Sequence, residues 1–164
     1  MVDTLDFRPF EPEDLPRLHT IREAAFRPIF GSFRKLLGDE IAPVALANAE
    51  KEQAAHLDGL CDPDSGHAVH VVERDGEIVA FCAVSLDEDS KVGEIDLNAV
   101  HPDHQGKGIG AAMYRFALAG MRDAGMRVAT VGTGGDASHA PARRAYQKAG
   151  FGPSIPGIYM YRAL

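Results

Sequence analysis

The chain has 164 residues, of which 45% are hydrophobic and 25% charged, and its formal net charge is −7. That length suits a single domain over residues 1–164 with a real hydrophobic core, and the composition argues against disorder. The acidic balance argues against a nucleic-acid surface and favours, by steering alone, a cationic substrate.

The first residues, Met1-Val2-Asp3-Thr4-Leu5-Asp6, are acidic, and no run of about 18 apolar residues follows. Neither a signal peptide nor a membrane span is expected, which makes a cytoplasmic location the default. Cys61 and Cys82 are too few and too far apart for a disulfide framework or a zinc site, so both read as reduced thiols.

Leu5 to Phe10 reads as a short strand. Pro12 with Glu11, Glu13 and Asp14 opens a helix whose apolar face, Leu15, Leu18 and Ile21, runs over residues 12–25. From Phe26 to Leu60 the pattern is less regular, with a second helix expected over about 39–58. His67–Glu73 and Ile78–Leu86 are strands joined through Asp75-Gly76, a hairpin signal. His67 and His70 stand at odd spacing in one strand and face opposite sides.

Next comes Glu94-Ile95-Asp96-Leu97-Asn98-Ala99-Val100. Glu94, Asp96 and Asn98 alternate with Ile95, Leu97 and Ala99, the period of a strand with one polar face. The alternation fails at Ala99-Val100, before His101-Pro102, which predicts a bulge or bend there and backbone groups released from the sheet. After Gln105-Gly106-Lys107-Gly108-Ile109-Gly110-Ala111 the apolar residues Ile109, Ala112, Met113, Phe116, Ala117 and Met121 take helical spacing. The glycines let backbone approach a ligand, and the helix start leaves amides that favour an anion such as diphosphate. Lys107, His101 and His104 make this loop locally basic.

A strand at 127–132 follows, then a helix with Pro141 in its first turn, Ala142, Ala145, Tyr146 and Ala149 on one face, and Gly150 past its end. Ile158–Leu164 alternates as a last strand. A meander of three strands followed by alternating helix and strand gives an α+β fold with a mixed sheet.

Gln105-x-x-Gly108-x-Gly110, between a strand ending in Val100 and a long helix, resembles the coenzyme A signature of the GNAT superfamily of N-acetyltransferases. Ala142-x-x-x-Tyr146-x-x-x-Gly150-Phe151 is similar to the second signature of that family. The loop is not a Walker A motif, because Gly108 follows Gly106-Lys107 where a Ser or Thr would be needed, and it lacks GxGxxG spacing. The resemblance implies a mostly antiparallel central sheet of about six to seven strands flanked by about four helices, acetyl-CoA as co-substrate and no metal. It implies that the backbone of Asn98, Ala99 and Val100 pairs with the pantetheine arm, and that Gln105, Gly106, Lys107, Gly108, Gly110 and Ala111 hold the pyrophosphate. His139 stands where the family often has an asparagine; the asparagine's contact does not carry over, and His139 is the candidate there. A homodimer is compatible with the resemblance.

Acetyl transfer to an amine needs a neutral amine, and an ammonium with a pKa near 10.4 costs about 4–5 kcal/mol to deprotonate at pH 7. A carboxylate acting directly or through water would help. Glu94 lies six residues before Val100, where some members of the family carry a glutamate base; Asp96 competes on the same polar face. A backbone N–H near Val100 would stabilise the oxyanion. Tyr146 is the candidate acid to the departing thiolate. Arg143 and Arg144 read as solvated helix charges, and His101-x-x-His104 lacks the companions of a metal site. The expected activity is acetyl transfer from acetyl-CoA to a primary amine in a ternary complex, the acceptor being shaped by Phe26–Leu60 and left unspecified. The alternatives are another acyl group or a hydroxyl acceptor, or an idle acyl-CoA-binding module.

Overall fold

A computed structural model describes residues 4–164 of the chain. Strands β1 (Leu5–Pro9), β2 (His67–Arg74), β3 (Glu77–Asp87), β4 (Val92–Val100) and β5 (Val128–Val131) form one sheet in the order β1-β2-β3-β4-β5. All neighbours are antiparallel except β4 and β5, which run parallel. Helices α1 (Leu15–Ala45) and α2 (Ala49–Leu60) cover one face of the sheet, and α3 (Ile109–Asp123) and α4 (Ala140–Lys148) cover the other.

Each face is sealed by its own apolar cluster. Leu18, Ile21, Leu57, Val71, Phe81 and Ala99 pack under α1 and α2. Val72, Cys82, Ile95, Met113, Ala117 and Tyr146 pack under α3 and α4. The β2–β3 hairpin turns at Asp75 and Gly76, both at positive φ (54° and 78°), the geometry that suits the right-handed twist of the flanking strands.

Three expectations are corrected. The irregular stretch after residue 25 is helical: Phe26, Ile29, Phe30 and Phe33 continue the spacing of α1, and the break comes later, at Gly38, whose φ of 71° lies outside the helical region. The bulge in β4 does not lie at Ala99-Val100. The register against β3 slips between Ile95 and Asn98, and the Leu97 amide released there is taken by the Asp96 carboxylate at 2.7 Å. Finally, among the described residues the sheet has five strands rather than six to seven, because Ile158–Leu164 has no strand partner among them. Ile155, Ile158, Tyr159 and Met160 are each more than four-fifths exposed, so alternation alone did not supply a ladder to join.

Candidate active site

The bulge decides how β4 presents its side chains. Before it, Ile95 faces α3; after it, Leu97 and Ala99 face α1 and α2. One inserted residue reverses the alternation. Glu94, Asp96 and Asn98 therefore do not share one face. Asp96 meets His56 of α2 at 2.9 Å and His67 at 3.6 Å, whereas Asn98 meets Tyr114 of α3 and Tyr146 of α4. His70, as its odd spacing from His67 requires, lies on the α3 face against Phe116.

The pairing of β4 with β5 ends at Ile95–Val131, leaving the rest of β4 without a strand neighbour on that side among the described residues. His101 donates its N–H to the Val79 carbonyl at 2.8 Å, on the β3 side. Alternation along an antiparallel ladder then directs the N–H and C=O of Val100 and Asn98 away from β3, into the gap. Consistent with this, the Val100 carbonyl accepts from Gln105 Nε2 at 2.9 Å.

The gap opens into a cleft of about 640 Å³. Its floor is β4 from Glu94 to Val100, one wall is α1 at Phe26 and Ile29, and the other is formed by the starts of α3 and α4. Gly106 and Gly108 hold positive φ (75° and 80°), and Gly108 caps α3, so the first amides of α3 have no intrahelical acceptor. Gly110 brings α3 against the Val100 side chain; a Cβ there would lie 3.8 Å from Val100 Cγ2. Lys107 Nζ bonds the Asp103 carbonyl at 2.9 Å, which ties the loop together. His104 Nδ1 is buried without a hydrogen-bond partner among the described residues, at the edge of the same loop. Ala111 also lines the cleft, and is buried. These features fit a diphosphate and its extended arm: open amides at a helix start, and an unpaired strand edge leading away from it.

Tyr146 is 7% exposed and lines the cleft, and its hydroxyl accepts from Asn98 Nδ2 at 3.1 Å. Burial holds its pKa above the usual range, against the hydrogen bonds of Asn98 and Tyr114, which lower it. Tyr114, which sequence reasoning missed, donates its O–H to Asn98 Oδ1 at 2.7 Å, and burial pushes its own pKa well up. It stands one turn after Gly110, on the same face of α3, a signal that the spacing could have given.

Glu94 is exposed and lines the cleft, and its carboxylate has no hydrogen bond or ion pair among the described residues. Asp96, also in the lining, is tied to His56, His67 and the Leu97 amide. His139 lies at the start of α4, bonded to Asp136 at 2.6 Å and stacked on Phe33 of α1. Arg143 is not free in solvent: it donates to the carbonyls of Gly134 and Asp136 and so shapes the loop before α4, while Arg144 lines the cleft. Cys82 lies outside the cleft lining; burial and the charge of Asp96 push its thiol up to about 12, and burial raises Cys61 to about 11. Among the described residues no group of three His, Cys, Asp or Glu could hold a metal ion, and no helix is long and apolar enough to cross a membrane.

Residues 19–151 match the family model described as Acetyltransferase (GNAT) family. The chain belongs to the GNAT acetyltransferases. A mycothiol acetyltransferase of Sanguibacter keddieii is 34% identical over 97 residues, which is 56% of this chain but only 30% of that protein. The chain thus spans less than a third of the length of this curated relative. A GNAT acetyltransferase of Brucella melitensis, solved in complex with acetyl-CoA, is 27% identical with a TM-score of 0.61, covering 98% of this chain and 97% of that one. An aminoglycoside antibiotic 6'-N-acetyltransferase of Acinetobacter haemolyticus shares the fold at 14% identity, with a TM-score of 0.66 over 97% of this chain and 99% of that one.

Proposed function

We propose that this GNAT domain transfers the acetyl group of acetyl-CoA to a primary amine by direct attack. The observation that carries this reading is the convergence of three groups on one cleft. They are the glycine-led start of α3, the edge of β4 at Asn98 and Val100 beyond its pairing with β5, and Tyr146.

In this reading the amides of Gly108, Gly110 and Ala111 hold the pyrophosphate, assisted by Gln105, Gly106 and Lys107, and His139 borders the arm. Acetyl-CoA supplies a thioester carbon open to a nucleophile. Tyr146 touches the side chain of Asn98, so the reacting end of the arm lies nearest the Asn98 N–H. That N–H is the favoured donor to the charge developing on the carbonyl oxygen, two residues earlier than the sequence suggested, and the Val100 N–H serves the arm. Glu94, free of partners, takes the proton of the amine directly or through water. As the C–N bond forms and the C–S bond breaks, Tyr146 gives its proton to the thiolate sulfur.

Direct transfer is favoured because neither cysteine can act first: both thiols stay protonated at neutral pH, and Cys82 is buried. The acceptor enters between Phe26 and Ile29 on one side and Glu94 and Asp96 on the other, which suits a cation on an apolar stem. Release of free thiol from acetyl-CoA with an amine panel tests the reading. Amine-dependent release supports it; binding of coenzyme A without turnover points to a sensing module instead.

A further inference from the structure

Arg144 and Lys148 are the arginine and lysine that line the cleft, and both belong to α4. In a chain with a net charge of −7 both are exposed, and neither has a hydrogen bond or ion pair among the described residues. Arg143 differs, because its guanidinium is held by the carbonyls of Gly134 and Asp136. Standing four apart on one helix, Arg144 and Lys148 share a face, and like charges at that spacing repel. An anion held between them would offset that repulsion.

Ala145 fixes where this face lies. A Cβ on Gly110 would stand 3.9 Å from the Ala145 Cβ, so α4 meets α3 at its glycine-led start. Arg144 precedes Ala145 and Lys148 follows it by one turn, which puts both beside the open amides at the head of α3. The carboxylates of the cleft, Glu94 and Asp96, lie elsewhere. Gly110 abuts the Val100 side chain, and Glu94 stands back along β4 by roughly 20 Å of extended strand. The cleft is therefore charged in opposite senses at its two ends, anionic where the acceptor enters and cationic beside the start of α3.

Coenzyme A carries a diphosphate on the 5' carbon of its ribose and a separate phosphate monoester on the 3' carbon. We propose that Arg144 and Lys148 bind the monoester, so that the protein discriminates coenzyme A from its 3'-dephospho form. With the diphosphate at the start of α3, the ribose and its second phosphate meet the neighbouring surface, which α4 supplies. A guanidinium engages a phosphate through two N–H groups at once, and the ammonium adds a flexible point charge. The inference rests on the proposed place of the diphosphate.

Calorimetric titration of the full chain with coenzyme A and with 3'-dephospho-coenzyme A tests it. The unaltered chain should bind coenzyme A about tenfold more tightly, the scale of two exposed charge pairs acting together. Combining Arg144→Gln with Lys148→Gln should bring that ratio below about twofold by weakening coenzyme A alone, with affinity for the dephospho form unchanged. Arg122→Gln is the control: Arg122 lies in the last turn of α3, outside the cleft lining, and its loss should leave the ratio as it is. A ratio near one in the unaltered chain overturns the inference while the cofactor reading stands, and that comparison needs no variant to fold. A ratio that survives in the double variant, or falls equally in Arg122→Gln, overturns it as well. If neither ligand binds, the diphosphate site fails and the inference with it.

Discussion

Asn98 Nδ2 lies 3.1 Å from the Tyr146 hydroxyl oxygen and joins β4 to α4. Only a bulge makes that contact possible, because without the residue inserted ahead of Asn98 its side chain would point at α1 instead. The reacting groups are thus set by the backbone of β4 as much as by the side chains on it.

Tyr146→Phe keeps the ring and its packing against Phe151 and removes the proton. Loss of a general acid costs typically 10²-fold or more in kcat. The expected result is a fall of about that size with the dissociation constant of coenzyme A unchanged, read by steady-state kinetics beside calorimetry. A weakened affinity with kcat intact would assign Tyr146 to binding alone.

Glu94→Gln should lower the rate most near pH 7 and be partly rescued as pH rises towards the pKa of the amine, where the acceptor needs no base. Asp96→Asn separates the two carboxylates. Asp96 already serves His56 and the Leu97 amide, so its loss should disturb stability, seen as a lower Tm, more than it reshapes the pH profile. A flattened pH dependence in Asp96→Asn with Glu94→Gln unaffected would exchange their roles.

Gly108 is the helix cap at a φ of 80°, with nothing within 4 Å of where a Cβ would stand. Substitution by alanine is therefore a matter of strain and not of collision, costing about 1–2 kcal/mol. If the backbone relaxes instead, the amides at the head of α3 turn away from the anion. Gly108→Ala should lower Tm by a few degrees and weaken coenzyme A binding severalfold by calorimetry; unchanged affinity would take the pyrophosphate away from this loop.

The strand-loop-helix unit from Glu94 to Asp123 was legible because its signals are local: alternation, a glycine run and helical spacing each act within a few residues. The bulge was misplaced because an apolar pair at Ala99-Val100 and an inserted residue at Asp96-Leu97 disturb the alternation alike, and only pairing with β3 separates them. Tyr114 was missed, since its use depends on Asn98, 16 positions away. Ile158–Leu164 has the period of a strand, but period specifies faces and not a partner. His139 could be placed from the signature; its bond to Asp136 is local, but its contact with Phe33 depends on how α1 crosses the sheet.

The loop before α4 carries its own pH dependence. Burial raises the Asp136 pKa, but the hydrogen bonds from Ser138 and His139 outweigh it and bring the carboxyl down to about 2. A carboxyl whose pKa is lower folded than unfolded stabilises the native state at pH values above its unfolded pKa, near 3.8, and that contribution is lost as pH falls from there through about 2. The same loop receives Arg143 at the carbonyls of Gly134 and Asp136, so its loosening should reach the start of α4 and the cleft. Urea denaturation followed across pH 2–5 should show a decline in stability that is shallower in Asp136→Asn, which has no proton to gain. Equal slopes in the two proteins would mean that other carboxylates, such as Asp14 beside Arg8, account for the acid sensitivity.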